Sequence, residues 1–152
     1  MNSEKPTSRR RRIAVRRSGI HGKGVFANTF VPAGSRLIEY KGERISDEDC
    51  YAEDGASTHT FLYMMDNNEI IDGGRNGNDA RWINHSCDPN CEAVEENGRV
   101  FMDAVRPIEP GDEVTIDYSL YLEARYTAAL KREYACVCGT VQCRGTMLAS
   151  KR

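Results

Sequence analysis

Several features that mark common protein classes are missing from this sequence. No stretch approaches the ~20 apolar residues that a membrane-spanning helix requires, which argues against a membrane partner. The start, Met1 to Pro6, has no apolar segment of the kind that a secretory signal contains. The chain has no nucleotide-binding βαβ unit either. We therefore expect an intracellular protein, cytoplasmic if it is bacterial and nuclear or chromatin-bound if it is eukaryotic.

Charge of one sign is not in excess, because the formal net charge is only −2 over 152 residues, a length that fits one compact domain. The distribution is more informative. A basic head contains Arg9 to Arg12, Arg16 and Arg17, and an acidic cluster runs from Asp47 to Asp54. The simplest interpretation of each is a solvated face. The basic head is also the one place where nucleic acid could bind, although no aromatic residues alternate with the arginines.

Turn residues at close intervals divide the chain into short segments of β type. Strands are predicted over 13–15, 25–30, 36–40 and 113–118. One hairpin is predicted around Asp66-Asn67-Asn68, and a second around Asn97-Gly98, a pair typical of a type I′ turn.

Few helices are expected. Ser46 with Asp49 three residues later resembles a capping box and predicts a short helix near 47–54. Residues 120–133 lack Gly and Pro and predict a second helix. Residues 1–12 are polar and basic, which predicts a disordered tail. The fold class is therefore mainly β, an α+β fold with few short helices.

Cysteine is unevenly distributed, and three of the six cysteines fall within eight residues, as Cys136, Cys138 and Cys143. In a reducing cell a C-x-C-x4-C cluster indicates metal ligands rather than disulfides, and its spacing is not that of a thioredoxin-type redox pair. Three thiolates fill three corners of a zinc tetrahedron, and a closed structural site needs a fourth ligand. From the spacing alone the candidates are Cys50, Cys87, Cys91 and the histidines.

A second concentrated run of chemistry extends from Arg81 to Cys91, with the sequence RWINHSCDPNC. It places many hydrogen-bonding side chains around an apolar Trp-Ile pair. Nothing in it has the spacing of a hydrolytic triad or of a catalytic zinc site. A single histidine in such a run is more often structural than catalytic.

The run resembles the R-F-I-N-H-S-C-x-P-N signature of SET-domain methyltransferases, with Trp82 at the usual Phe position. Four other family landmarks follow the same order. His21 to Phe26 resembles the N-terminal G-x-G, and Glu39 to Glu43 is similar to E-Y-x-G-E. Glu113 to Tyr118 resembles E-L-T-F-D-Y, and Cys136 to Gly145 resembles the post-SET C-x-C-G-x4-C-R-G. Together these motifs cover about residues 13–148.

The resemblance implies the SET fold, with small β-sheets around a threaded C-terminal pseudoknot and a post-SET zinc segment. The implied organisation is a tail over 1–12, a SET domain over 13–119, a connecting helix over 120–133 and a zinc segment over 134–152. The implied activity is methyl transfer from S-adenosylmethionine to a lysine side chain of a basic protein, such as a histone or another chromosomal protein. A catalytically silent module that binds cofactor and peptide is the alternative, and the presence of Asn84, His85 and Tyr118 favours the enzyme.

The resemblance also assigns roles to particular residues. Tyr118 is implied as the active-site tyrosine, and Cys87 as the fourth ligand of a structural Zn²⁺ beside Cys136, Cys138 and Cys143. The implied cofactor site contains Gly22, Lys23, Gly24, Arg81, Asn84, His85 and Leu148. The acidic cluster is expected to recruit the basic substrate, because the corresponding stretch of the family lies beside the peptide groove.

Two positions of the implied substrate channel depart from the family pattern. Phe61-Leu62-Tyr63 stands where Tyr-x-Phe is common, and Ile116 stands where Phe or Tyr is common, two residues before Tyr118. In the family a Tyr at that second position tends to limit the product to monomethyl-lysine. Ile116 lacks a hydroxyl, which predicts di- or trimethylation unless Tyr63 supplies one in the same space.

Overall fold

Short strands in three small sheets make up most of this computed structural model, which describes residues 11–46, 61–120 and 125–149. Within the described ranges the strands are β1 Ile13–Arg17, β2 Lys23–Ala27, β3 Arg36–Glu39, β4 Glu43–Ile45, β5 Leu62–Met64, β6 Ile70–Asp72, β7 Asn84–His85, β8 Cys91–Glu96, β9 Arg99–Ala104 and β10 Glu113–Ile116. The first sheet has the order β1-β2-β10-β7, the second β3-β9-β8 and the third β4-β6-β5.

Both predicted hairpins are confirmed. Strands β8 and β9 pair antiparallel across Asn97 and Gly98, whose φ angles of 53° and 74° are the left-handed values that a type I′ turn requires. Strands β5 and β6 pair around residues 65–69. The period-two alternation of β9 explains its burial, since Val100, Met102 and Ala104 face the core while the residues between them are more exposed.

The first sheet brings together segments that are far apart in the sequence. Strand β10 pairs antiparallel with β2 through Val114 and Val25, and parallel with β7 through Thr115 and Asn84. A parallel pair cannot be closed by a tight turn, so β7 and β10 are joined by the whole β8–β9 hairpin. The core is formed by buried side chains from all three sheets and the loops between them, including Val25, Val31, Ile71, Met102, Ile108 and Val114.

The predicted helix over 120–133 is shorter than expected. The observed helix, α1, spans Ala128–Glu133, and Thr127 precedes it as an N-cap whose hydroxyl accepts a hydrogen bond from the Leu130 N–H. Residues 125–127 are not helical. Leu120 is in a parallel bridge with Leu148, a tertiary pairing that excludes it from a helix.

The tail predicted over residues 1–12 is also shorter than expected, because residues 11 and 12 are hydrogen-bonded to Asn28. Asn28 donates to the Arg11 carbonyl oxygen through its side chain and to the Arg12 carbonyl oxygen through its backbone N–H. Residues 1–10, the predicted helix near 47–54 and the acidic cluster of residues 47–54 lie outside the described residues. None of the helices in the described ranges has the length and apolar character needed to cross a membrane.

The loop that leads into the Arg81–Cys91 run is closely packed against backbone, which generates a prediction. A Cβ at Gly77 would overlap the carbonyl oxygens of Gly73 and Lys41. We expect Gly77→Ala to lower the free energy of unfolding by ~1–3 kcal/mol, the usual cost of overpacking a site that cannot relax. Gly19→Ala is the control, because a Cβ there meets nothing within 4 Å. Urea unfolding of both variants tests this, and equal stabilities would contradict it.

Candidate active site and metal cluster

Tyr118 lies directly beyond β10 and is held against the β7 segment at two points. Its hydroxyl donates a hydrogen bond of 2.5 Å to the Ile83 carbonyl oxygen, and its backbone N–H donates to His85 Nδ1 at 2.9 Å. Burial, followed by the nearby Glu113 carboxylate, raises the pKa of Tyr118 to about 12. The phenol is therefore neutral throughout the physiological range.

Two further tyrosines pack together, and one of them interacts with Tyr118. The rings of Tyr40 and Tyr63 are 5.8 Å apart, and both pack in or against the core that contains Ile116. Tyr40 donates its hydroxyl to the Phe61 carbonyl oxygen. Burial raises the pKa of Tyr40, and electrostatic interaction with Tyr118 adds to the shift, so the two phenols are near one another. Sequence reasoning missed Tyr40, although the E-Y-x-G-E motif contains it.

Phe61, also predicted to line the channel, faces a different neighbour. Its ring meets Trp82 edge to face, with 5.2 Å between centroids. Lys23 Nζ lies 5.0 Å from the centroid of the same Trp82 ring, and the Arg81 guanidinium lies 4.9 Å from it. Trp82 therefore joins two residues of the predicted cofactor site by cation–π contacts.

Asn84 shapes the loop that contains the G-x-G motif. Its side-chain nitrogen is 3.1 Å from the His21 carbonyl oxygen, 3.0 Å from the Lys23 carbonyl oxygen and 3.0 Å from Glu113 Oε1. Gly22 has a left-handed φ of 43° and open space where a side chain would be. Open space fits the predicted close approach of a ligand at this glycine.

Gly24 lacks a side chain for another reason. A Cβ at Gly24 would overlap the Glu113 carboxylate that accepts from Asn84. The glycine thus makes room for a protein carboxylate, and its place in the cofactor site stays a prediction.

The Arg81 side chain has a buried N–H group that lacks a hydrogen-bond acceptor among the described residues. Its Nε is buried, and no partner for it occurs among residues 11–46, 61–120 and 125–149. A buried N–H without an acceptor costs ~1–3 kcal/mol, so such atoms often mark the position of a missing ligand or water. An anionic group beside Arg81 would satisfy it.

Four sulfur atoms meet at the other end of β7. The Sγ atoms of Cys87, Cys136, Cys138 and Cys143 all lie within 4.8 Å of one another. Cys87 Sγ and Cys136 Sγ are 3.8 Å apart, which matches the roughly 3.8 Å edge of a tetrahedron with Zn–S bonds of about 2.3 Å. These residues fit a structural zinc ion. Cys91 is 1% exposed and lies outside the cluster, and Cys50 is outside the described residues.

Three sulfurs of the cluster accept backbone hydrogen bonds and the fourth lies within hydrogen-bonding distance of a hydroxyl, an arrangement that suits metal-bound thiolates. Backbone N–H groups of Arg144, Cys138 and Gly145 donate to Cys87, Cys136 and Cys143 respectively, at 3.3–3.4 Å. Cys138 Sγ is 3.2 Å from the Thr140 hydroxyl. Burial opposes ionisation of both Cys136 and Cys138. It raises the pKa of Cys136, whereas hydrogen bonds led by that of Thr140 outweigh it and lower the pKa of Cys138.

His85 connects this cluster to Tyr118. Its Nδ1 accepts from the Tyr118 N–H, so in the neutral ring Nε2 carries the proton, and Nε2 lies 3.4 Å from Cys87 Sγ. Burial lowers the pKa of His85, which favours this neutral form. Both ring nitrogens of His85 therefore contact other parts of the protein, Nδ1 the Tyr118 backbone and Nε2 the cysteine cluster.

The C-terminal segment is attached near the same place. Leu148 is 1% exposed and bridges Leu120, with the Ala149 N–H donating 2.7 Å to the Leu120 carbonyl oxygen. The carbonyl of Tyr134 accepts from Met147, which closes the segment on itself. Leu120 lies two residues after Tyr118 in the sequence, so this pairing attaches Leu148 to the chain just beyond Tyr118.

Comparison with known proteins agrees with this arrangement. The SET domain family model matches residues 22–119. The chain belongs to the SET-domain family. It is 35% identical over 147 residues to a histone-lysine N-methyltransferase, H3 lysine-4 specific, of Chaetomium globosum, which covers 90% of this chain and 13% of that protein. The histone-lysine N-methyltransferase ATX2 of Arabidopsis thaliana is 34% identical over 148 residues, covering 91% and 13%.

A solved structure gives the same result for the fold. The crystal structure of KRYPTONITE in complex with mCHG DNA and SAH superposes with a TM-score of 0.73 and 31% identity, covering 91% of this chain and 29% of that one. The predicted SET fold is therefore confirmed. This SET-domain chain spans only about an eighth of the length of the two curated relatives, which contain much additional sequence.

The sulfur cluster generates a prediction for the metal. We expect one zinc ion per chain in reduced protein, and we expect Cys87→Ala to lose it because three thiolates leave the tetrahedron open. Cys91→Ala is the matched control, since it removes a buried thiol outside the cluster. Metal analysis after dialysis decides, and zinc that survives in Cys87→Ala or is absent from the unmodified protein would contradict the assignment.

Proposed function

We propose that this chain is a protein-lysine N-methyltransferase that uses S-adenosylmethionine. The observation that carries the proposal is the position of Tyr118, whose neutral hydroxyl is fixed by the Ile83 carbonyl beside the Asn84–His85 strand. Membership of the SET family and the SAH in the solved relative's structure support the same reaction. When bound, the cofactor would supply an electrophilic methyl group on a sulfonium, and the neutral lysine amine that accepts the methyl would displace the thioether sulfur as the leaving group.

The residues around the G-x-G loop are the proposed cofactor site. The Gly22 backbone is open to a ligand, and the buried Arg81 Nε offers a donor to an anionic group such as a carboxylate. Asn84 fixes the loop from inside through the His21 and Lys23 carbonyls, and its role is to preserve the loop's shape. Leu148 closes the site from the C-terminal segment, and His85 orients Tyr118 from the far side.

Tyr118 is proposed to act by position and polarity. With a pKa near 12 it does not serve as a base at neutral pH. Its hydroxyl oxygen, oriented by the bond to Ile83, is suited to hold the amine and the methyl group in line. The buried aromatic surface of Tyr40 and Tyr63 favours the uncharged amine, because desolvation lowers the pKa of a lysine from its usual value of about 10.4.

The proposed substrate is a lysine in a basic protein such as a histone. The names of the curated relatives describe histone-lysine methyltransferases, and those relatives come from a fungus and a plant. A histone substrate favours the nucleus or chromatin over the cytoplasm. Nucleic-acid contact through the arginines of the basic head stays a prediction. Arg12, just before β1, and Arg16, within β1, are exposed and donate to the Arg36 carbonyl oxygen and to Asn28 Oδ1 respectively.

Tyr118→Phe tests the catalytic assignment. The ring still packs, so we expect binding of S-adenosylhomocysteine to stay within about twofold while methyl transfer to core histones falls by at least ~100-fold, a loss typical of removing an oriented polar group. Tyr134→Phe, on the C-terminal segment, is the control and should transfer methyl groups normally. Radiolabel transfer and calorimetry supply the two readouts. A wild-type rate in Tyr118→Phe would reject the assignment, and a wild-type chain that binds cofactor without transfer would be a silent module.

The number of methyl groups added is a separate expectation. Ile116 is buried in the core and has no hydroxyl to hold a water where further methyl groups must go. We expect di- or trimethyl-lysine in mass spectra at exhaustive turnover. Product that stops at one methyl group would contradict this and would make the Tyr63 hydroxyl the candidate for the restriction. In that case Tyr63→Phe should release it, while Ile116→Tyr should have little further effect.

A further inference from the structure

Arg144 contacts both the cysteine cluster and Asp117, the residue before Tyr118. Its backbone N–H donates to Cys87 Sγ at 3.3 Å. Its guanidinium forms a two-point ion pair with Asp117, at 2.9 Å from Nη1 to Oδ2 and 3.1 Å from Nη2 to Oδ1. Both side chains are less than a third exposed, so solvent screens the pair only partly.

Asp117 connects this ion pair to Tyr118, the residue that follows it in the sequence. One of its oxygens accepts from the Ser119 N–H and lies 3.6 Å from His85 Nδ1, the atom that accepts from the Tyr118 N–H. Burial alone would raise the pKa of Asp117, but the hydrogen bonds from Arg144 and Ser119 outweigh it and hold the pKa below its ordinary value. The Asp117 carboxylate is therefore charged. It precedes Tyr118 in the chain and accepts a hydrogen bond from Ser119, the residue that follows Tyr118.

Helix α1, at the start of the C-terminal segment, buries none of its residues. Beyond the cysteine cluster, two contacts attach the segment next to Tyr118: the bridge between Leu120 and Leu148 and the Arg144–Asp117 pair. Leu120 and Asp117 flank Tyr118, so both attachments are made to the residues on either side of it.

We infer that Arg144 and Asp117 are positioning residues, forming a clasp that holds the C-terminal segment over the cofactor site and fixes the backbone on both sides of Tyr118. The inference rests on the proposed function for its catalytic consequence. The clasp itself depends only on the ion pair. Because it acts on closure of the site, its loss weakens cofactor binding more than it slows a bound complex.

The matched control is the Arg106–Asp88 pair. Arg106 also makes two contacts to one aspartate, at 2.9 Å to Asp88 Oδ1 and 3.0 Å to the Asp88 carbonyl oxygen. Asp88 is next to Cys87, so this pair also lies beside the metal cluster, and the hydrogen bonds that Arg106 makes among the described residues go to Asp88 rather than to the C-terminal segment or to Asp117. Arg144→Gln and Arg106→Gln therefore remove the same charge, but only Arg144→Gln removes the contact between the C-terminal segment and Asp117.

Three measurements on the zinc-loaded chain test the clasp. In Arg144→Gln we expect the Ala149 amide to exchange hydrogen faster, and the KM for the methyl donor and the Kd for S-adenosylhomocysteine to rise at least about tenfold, the usual effect of losing a charged hydrogen bond. The change in kcat should be smaller. Arg106→Gln should change each value by less than about twofold on the same scale. Zinc content should stay at one, because the backbone donor to Cys87 remains.

Coupling between the partners completes the test. Asp117→Asn should resemble Arg144→Gln, and the double variant should be no worse than either, because both remove the same contact. Arg144→Lys should recover part of the affinity through a single contact. Additive effects, equal behaviour of Arg144→Gln and Arg106→Gln, or a fall in kcat without a change in KM or Kd would overturn the inference. A wild-type chain without cofactor binding would overturn the proposed function instead, and Ala149 exchange would still decide the clasp.

Discussion

The parallel pairing of β7 with β10 is the constraint on which the site depends. It joins Asn84 to Thr115 and His85 to Ile116, and it leaves Tyr118 beside the Ile83 carbonyl. These residues are more than 30 positions apart, and the pairing is further fixed from one side by the Asn90 side chain, which bonds both the Glu113 carbonyl and the Thr115 N–H. The Asn90 side chain thus makes hydrogen bonds to the β10 backbone of the kind that a neighbouring strand would make.

The same short strand links the proposed methyl-transfer site to the cysteine cluster. His85 accepts from Tyr118 and directs its other nitrogen at Cys87 Sγ, so its neutral tautomer is fixed by the structure around it. Zinc bound by four thiolates would therefore do more than fold the C-terminal segment, because it would also hold the ring that orients Tyr118. The Arg144–Asp117 pair adds a second connection between the same two places.

The departures from the family pattern have local explanations. Trp82 offers a wider ring than the usual Phe, and it contacts Lys23, Arg81 and Phe61 at once. Tyr63 places a phenol beside Tyr40, where the family more often has Phe, while Phe61 turns its ring towards Trp82. The exchange of Tyr and Phe between positions 61 and 63 therefore moves a hydroxyl rather than removing one.

Local sequence determined the elements that short-range chemistry controls. The Asn97-Gly98 turn, the alternating burial of β9 and the β character of most segments follow from residues adjacent in the chain. The motifs also determined the family, and they indicated Cys87 as the fourth sulfur. Only the tertiary structure showed that Gly24 makes room for Glu113, that Leu120 pairs with Leu148 instead of entering a helix, and that Tyr40 lies near Tyr118. Each of these depends on a contact between distant residues, whose geometry no local pattern encodes.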